Sequence, residues 1–109
     1  MVLNETMRLY PPVAAMTRMV EKDTRLGGVE EEDAVVIPAG TEIVLPVLMW
    51  HHEAEYWGPD ADEFRPDRFE GGVAKACRVA GAFLPFSTGP RVCIGQGFAM
   101  LEAKTVMAT

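Results

Sequence analysis

The sequence lacks several features that would decide its class at once. Its longest apolar run, Ile43 to Trp50, has eight residues and contains Pro46, whereas a membrane-spanning helix needs roughly 20. No secretory signal pattern opens the chain. No anchor is therefore expected within it. Basic residues are outnumbered 10 to 16 by acidic ones, for a net charge of −6. Nucleic-acid binders carry a basic patch, so no nucleic-acid partner is expected. The two cysteines, Cys77 and Cys93, allow one disulfide at most and make no framework. There is no Cys-x-x-Cys pair, and the two histidines, His51 and His52, are adjacent, which does not suit a structural zinc site. Internal repeats and low-complexity tracts are also missing.

What is present is ordinary for a globular chain: 109 residues, 49% of them hydrophobic, enough for one small domain. Val2 to Tyr10 reads as a helix with Val2, Leu3, Met7 and Tyr10 on an apolar side, ended by Pro11-Pro12. Pro11 to Arg18 reads as extended, and Leu26-Gly27-Gly28 as a turn. Two β-branched runs, Ala34 to Ile37 and Thr41 to Leu48, flank Pro38-Ala39-Gly40 and predict a hairpin. The acidic run Glu30 to Asp33 before it reads as a solvated loop. Trp50 to Trp57 suggests a short surface helix. Asp60 and Glu63 have the spacing of a capping box. Phe64 to Phe69 reads as irregular, Glu70 to Ala82 as a connection without period, and Gly95 to Thr109 as a helix of about 20 Å. Both ends run through helical patterns with no cap or stop, so residues 1–109 are expected to be a piece of a longer domain, truncated at both ends.

The chemistry concentrates in Phe86-Ser87-Thr88-Gly89-Pro90-Arg91-Val92-Cys93-Ile94-Gly95. It reads as a tight loop feeding a helix N-terminus. Gly89 and Gly95 permit backbone conformations or close approaches that a side chain would block. The positive end of the helix favours a thiolate at Cys93. In an extended loop residues two apart point the same way, so Arg91 can meet an anionic group of whatever Cys93 binds. A soft sulfur, a cation and the apolar Phe86 suit a flat apolar ligand that carries a metal and carboxylates, and haem is such a ligand. An isolated cysteine is more often an inert core residue. The pattern Phe-x-x-Gly-x-Arg-x-Cys-x-Gly, however, would arise by chance in a chain this long on the order of 1 time in 100,000.

This segment resembles the haem-ligand loop of the cytochrome P-450 family. The resemblance implies that Cys93 is the axial thiolate ligand to the iron of haem b, that Arg91 contacts a haem propionate, that Phe86 packs near the thiolate, and that Gly95 also belongs to the cofactor site. Two more segments match in the expected order. Glu5-Thr6-Met7-Arg8 fits the family's Glu-x-x-Arg helix. Phe64-Arg65-Pro66-Asp67-Arg68-Phe69 resembles the later segment whose second arginine completes a triad with that Glu and Arg. By resemblance Glu5, Arg8 and Arg68 form a structural network that holds the ligand loop. Arg18 falls where the family often supplies a second propionate contact, and Ala14 and Met16 where it lines the substrate pocket. His51 reads as a structural, hydrogen-bonding histidine, and His52, Cys77 and the tryptophans as ordinary structural residues.

The resemblance runs from Glu5 to Thr109. Trp57-Gly58-Pro59-Asp60-Ala61 and Gly95-Gln96-Gly97-Phe98-Ala99 are most similar to plant microsomal members. Val29 to Ala34 departs from the pattern by being longer and more acidic, which bears on the hairpin register. No candidate appears for the oxygen-activating helix with its acid–alcohol pair. The implied fold is mainly α with a small β-hairpin or sheet (α+β), a partial cytochrome P-450 fold from the Glu-x-x-Arg helix to the helix after the ligand cysteine. The implied activity of the parent enzyme is haem-thiolate monooxygenation of a small apolar substrate. Electrons would come from an NADPH-dependent reductase, at the endoplasmic reticulum membrane, through an N-terminal anchor outside this chain. The alternatives are a haem-thiolate isomerase or dehydratase, or a non-catalytic haem-binding remnant of a truncated gene. No catalytic residue is assigned within the chain, which is expected to be inactive by itself.

Overall fold

The computed structural model describes residues 1–27 and 34–109. The acidic run Glu30 to Asp33, and with it most of the unusual Val29–Ala34 stretch, lies outside them. The described residues form an α+β structure of two compact units, one made of residues 1–14 and 47–109, the other of residues 15–46.

The smaller unit contains four short strands: β1 (Met16–Met19), β2 (Thr24–Leu26), β3 (Val35–Ile37) and β4 (Glu42–Leu45). The expected hairpin of the two runs around Pro38-Ala39-Gly40 does not form. Instead β1 pairs antiparallel with β4, with Arg18 opposite Ile43, and β2 pairs antiparallel with β3, with Arg25 opposite Val36. The reason lies in the hydrogen bonds of the turn. Gly40, at φ 82°, donates its N–H to Val20 across the ribbon (2.7 Å), and Ala39 N–H is bound by the Asp23 carboxylate (2.9 Å). The turn groups are thus held by the opposite segment, and Pro38–Gly40 is a corner between consecutive strands. The run from Thr41 is also shorter than expected, because Pro46 cannot donate to a ladder but tolerates the start of a helix.

The larger unit holds α1 (Val2–Leu9), α2 (Val47–His52), α3 (Ala54–Trp57), a 3-10 turn at Pro66–Phe69, α4 (Val73–Ala76), a second 3-10 turn at Gly89–Arg91, and α5 (Gln96–Met107). α1 stops at Leu9, before the two prolines. Its buried face is Glu5, Arg8 and Leu9, spaced at three and four residues so that they share one side. Of the apolar side expected from Val2, Leu3, Met7 and Tyr10, Leu3 and Met7 are half-buried while Val2 and Tyr10 are exposed, Tyr10 by 70%. The surface helix expected over Trp50 to Trp57 is also corrected. It is two short helices, and they bury His51 and Trp57.

Trp57, Ala61, Phe69 and Ala76 form the core, with Tyr56, Cys77 and Phe83 packed against it. The rings of Trp57, Phe69 and Phe83 meet in tilted or edge-on contacts at centroid separations of 5.2 to 6.1 Å. The indole N–H of Trp57 donates to the carbonyl of Trp50 (2.9 Å). No helix starts at Asp60, so the expected capping box is absent, and its carboxylate faces Arg65 and Arg68 instead. α5 buries none of its residues: Phe98, Leu101 and Val106 are each at least 66% exposed. It flanks a groove of about 590 Å³ with α1, lined by Val2, Leu3, Met100 and Met107 among others. Among the described residues no helix is long and apolar enough to cross a membrane.

Candidate functional site

The loop between Phe86 and α5 is shaped by its own backbone. Ser87 and Gly89 both take positive φ, 62° and 66°. Ser87 N–H closes a turn onto Leu84 C=O (3.2 Å), and Val92 N–H closes another onto Gly89 C=O (3.1 Å). The Cys93 N–H then reaches back to the Phe86 C=O (2.8 Å), which ties the loop at its neck. Cys93 therefore sits in irregular backbone just ahead of α5, and its C=O accepts the N–H of Gln96, the first residue of that helix (3.3 Å).

The loop has two faces. Phe86 is half-buried and lines a pocket of about 280 Å³ with Asn4, Met7 and Met100. Cys93 is a free, exposed thiol, and Arg91, at the end of the Gly89–Arg91 turn, is exposed as well. Around them Val92 is 49%, Phe98 74% and Ile94 fully exposed. A Cβ at Gly95 would stand 3.8 Å from the Cys93 sulfur, so the glycine leaves that side of the sulfur clear. Arg18 lies in the other unit, on β1, where its guanidinium donates to the carbonyl of Thr17 (2.9 Å).

Behind the loop is a buried polar cluster. Arg8 and Glu5 are both 0% exposed and pair in bidentate fashion at 2.8 and 2.9 Å. The remaining donors of Arg8 go to the backbone carbonyls of His51 (2.6 Å), Ala61 (2.5 Å) and Glu63 (3.2 Å), so all five guanidinium hydrogens have acceptors. Its guanidinium also lies 5.2 Å from the centre of the Trp57 ring. Burial by itself would raise the Glu5 carboxyl. Hydrogen bonds from Arg8 and the Arg65 N–H, with the charges of Arg8 and Arg68, outweigh that and hold it below the usual carboxylate range.

Glu5, Arg8 and Arg68 thus come together, though not symmetrically. Arg68 Nε stands 3.5 Å from Glu5 as an ion pair without a hydrogen bond. Its other donors hold the Trp57 carbonyl (2.6 Å), the Asp60 carboxylate (3.1 Å) and the Asp60 carbonyl (2.9 Å). Asp60 also binds Arg65 at 2.5 Å, and the hydrogen bond from Arg68, joined by that from Arg65, lowers its carboxyl against the opposing effect of burial. Sequence reading missed Asp60 in this role. The available signal was an acidic residue after Gly58-Pro59 with arginines five and eight positions on. His51 is the structural, hydrogen-bonding histidine expected: it is fully buried and bonded through both ring nitrogens. Among the described residues no three His, Cys, Asp or Glu side chains gather as a metal-binding group.

The whole chain, residues 1–109, matches the family described as cytochrome P450. Similar proteins include cytochrome P450 714C3 and cytochrome P450 734A6 of Oryza sativa subsp. japonica, 53% and 51% identical over 99% of this chain. Secologanin synthase 1 of Catharanthus roseus is 52% identical over the same share. The chain spans about a fifth of the length of each: 20%, 19% and 20%. With the match running from the Glu5–Arg8 helix to the end of α5, the chain belongs to the cytochrome P450 family.

Proposed function

We propose that this chain is the haem-binding portion of a monooxygenase and that Cys93 would supply the thiolate ligand to its iron. The observation that carries this reading is the exposed Cys93 thiol at the mouth of a hydrogen-bonded loop, on a surface of Val92, Ile94 and Phe98. The donor set suits haem. A soft sulfur ligates iron, apolar side chains accept the face of a macrocycle, and the exposed Arg91 two residues away offers a guanidinium to a propionate. Phe86 packs on the inner side of the loop, and Gly95 keeps the approach to the sulfur open. Arg18 is the proposed second propionate contact, and Ala14 and Met16 the proposed edge of a substrate pocket.

Haem bound in this way supplies oxygen chemistry, with electron density from the thiolate favouring O–O cleavage. The chain's own residues do the positioning. Cys93 would ligate the iron, Arg91 would bind a propionate, and Glu5, Arg8 and Arg68 would hold the backbone behind the loop. The proposed partners are an NADPH-dependent reductase and a small apolar substrate, and the proposed setting is the endoplasmic reticulum membrane. The relatives are about five times longer than this chain, so turnover is not expected of these 109 residues alone.

The test is haem reconstitution followed by the spectrum of the reduced, carbon monoxide-bound form. Wild type should give a thiolate-type band, and Cys93→Ala should lose it while Cys77→Ala keeps it. An unchanged band in Cys93→Ala would overturn the assignment.

A further inference from the structure

We propose that His51 is a positioning residue for the thiolate loop, linking the buried Glu5–Arg8 pair to the backbone that presents Cys93. The chemistry of its partners settles its hydrogen placement. Leu84 N–H can only donate, and it points at His51 Nε2 (2.9 Å), so that nitrogen is an acceptor. Nδ1 therefore carries the hydrogen and donates it to the Arg8 carbonyl (3.0 Å). The link to Arg8 is reciprocal, because the Arg8 guanidinium donates to the carbonyl of His51 (2.6 Å). The ring has no freedom to turn: it stacks on Phe83 at 5.6 Å and meets Trp57 edge-on at 6.1 Å.

On its far side the imidazole holds the start of the loop. Leu84, once fixed, carries the turn closed by Ser87 N–H on Leu84 C=O. That turn contains Phe86, whose carbonyl takes the Cys93 N–H. Two hydrogen bonds and the backbone of Leu84, Pro85 and Phe86 thus separate the His51 ring from the Cys93 amide. Burial, with the nearby Arg8 charge, keeps the imidazole neutral against the opposing hydrogen bond to the Arg8 carbonyl. The acceptor at Nε2 is therefore retained at neutral pH.

The role toward Cys93 rests on its reading as the iron ligand, and the test separates the two. Two variants of similar polarity and volume are compared, His51→Gln and His51→Asn. Gln places an amide oxygen near the position of Nε2 and can accept from Leu84. Asn reaches only the position of Nδ1 and leaves the Leu84 N–H unpaired. Amide hydrogen exchange on the cofactor-free chain should show the Leu84 and Cys93 N–H groups protected in wild type and His51→Gln. In His51→Asn they should exchange about five- to tenfold faster, the effect of losing one hydrogen bond. The Ala99 N–H within α5 should be unaffected. Equal Cys93 protection in the Gln and Asn variants would overturn the proposal. After haem addition, the thiolate-type carbon monoxide band should be retained in the Gln variant and reduced in the Asn variant. If wild type shows no thiolate band, the ligand assignment of Cys93 fails, while the exchange comparison still decides whether His51 positions the loop.

Discussion

At the scale of single residues, Arg8 shows why a charged pair can occupy the inner face of a helix. A lone buried ion is costly, but Arg8 has a bidentate carboxylate and three backbone carbonyls, so neither it nor Glu5 is left uncompensated. Removing one partner should therefore cost far more than a surface pair would. Arg8→Ala or Glu5→Ala is expected to lower stability by about 3–5 kcal/mol, measured as the shift in urea midpoint. Arg68→Lys should cost less, about 1–3 kcal/mol, because a lysine cannot bridge the Trp57 carbonyl and both Asp60 oxygens together. The Glu5–Arg8 spacing made the pair legible in the sequence. The carbonyls that complete Arg8 were not, since they lie 43 to 55 residues away and only the folded backbone brings them in.

The titration of His51 gives stability a definite pH sense. Burial pushes its pKa from the ordinary 6.5 down to about 4. Between those values the unfolded chain takes up a proton and the native chain does not, so stability falls as the pH is lowered through that window. The effect at this one site is on the order of 3 kcal/mol. Glu5 acts further down: its carboxyl is lowered from 4.5, so its contribution is present above that value and is lost as the pH drops through the native value. Urea midpoints measured from pH 7 to pH 4 should decline in wild type and decline much less in His51→Gln. Parallel curves would contradict this account of the acid sensitivity.

At the scale of elements, the ligand loop and the strand corner teach opposite lessons. The loop was legible because it is local. Its cysteine, arginine and glycines lie within ten residues, and the bonds that shape it join Leu84 to Ser87, Gly89 to Val92, and Phe86 to Cys93. Gly89 sits at φ 66° with no atom to obstruct a side chain. Gly89→Ala should therefore cost about 1–2 kcal/mol through backbone strain alone, seen in thermal melts, and should weaken haem retention by disturbing the turn before Cys93. The corner at Pro38–Gly40 was misread because strand pairing is not local. A turn signal between two β-branched runs fits a hairpin or a bend equally well, and the choice is made by Val20 and Asp23, which take the turn's N–H groups. α1 was misread in a similar way. Its apolar residues marked one side, whereas the buried face carries the charged pair with Leu9.

At the scale of the whole molecule, the composition excluded more than it assigned, and the resemblance to a family came from motif order along the chain. The aromatic core of Trp57, Phe69 and Phe83 supports the network side of the larger unit, while α5 leaves Phe98, Leu101 and Val106 exposed. A chain that exposes so much apolar surface is expected to be only marginally stable and prone to association. The central claim nonetheless concerns one bond, from Cys93 to iron. Incorporating ³⁴S-cysteine into the Cys77→Ser variant leaves Cys93 as the only labelled thiol. Resonance Raman spectra of that chain reconstituted with haem should show an iron–sulfur stretch that moves to lower frequency on ³⁴S substitution. An iron–ligand spectrum indifferent to the isotope would contradict the account.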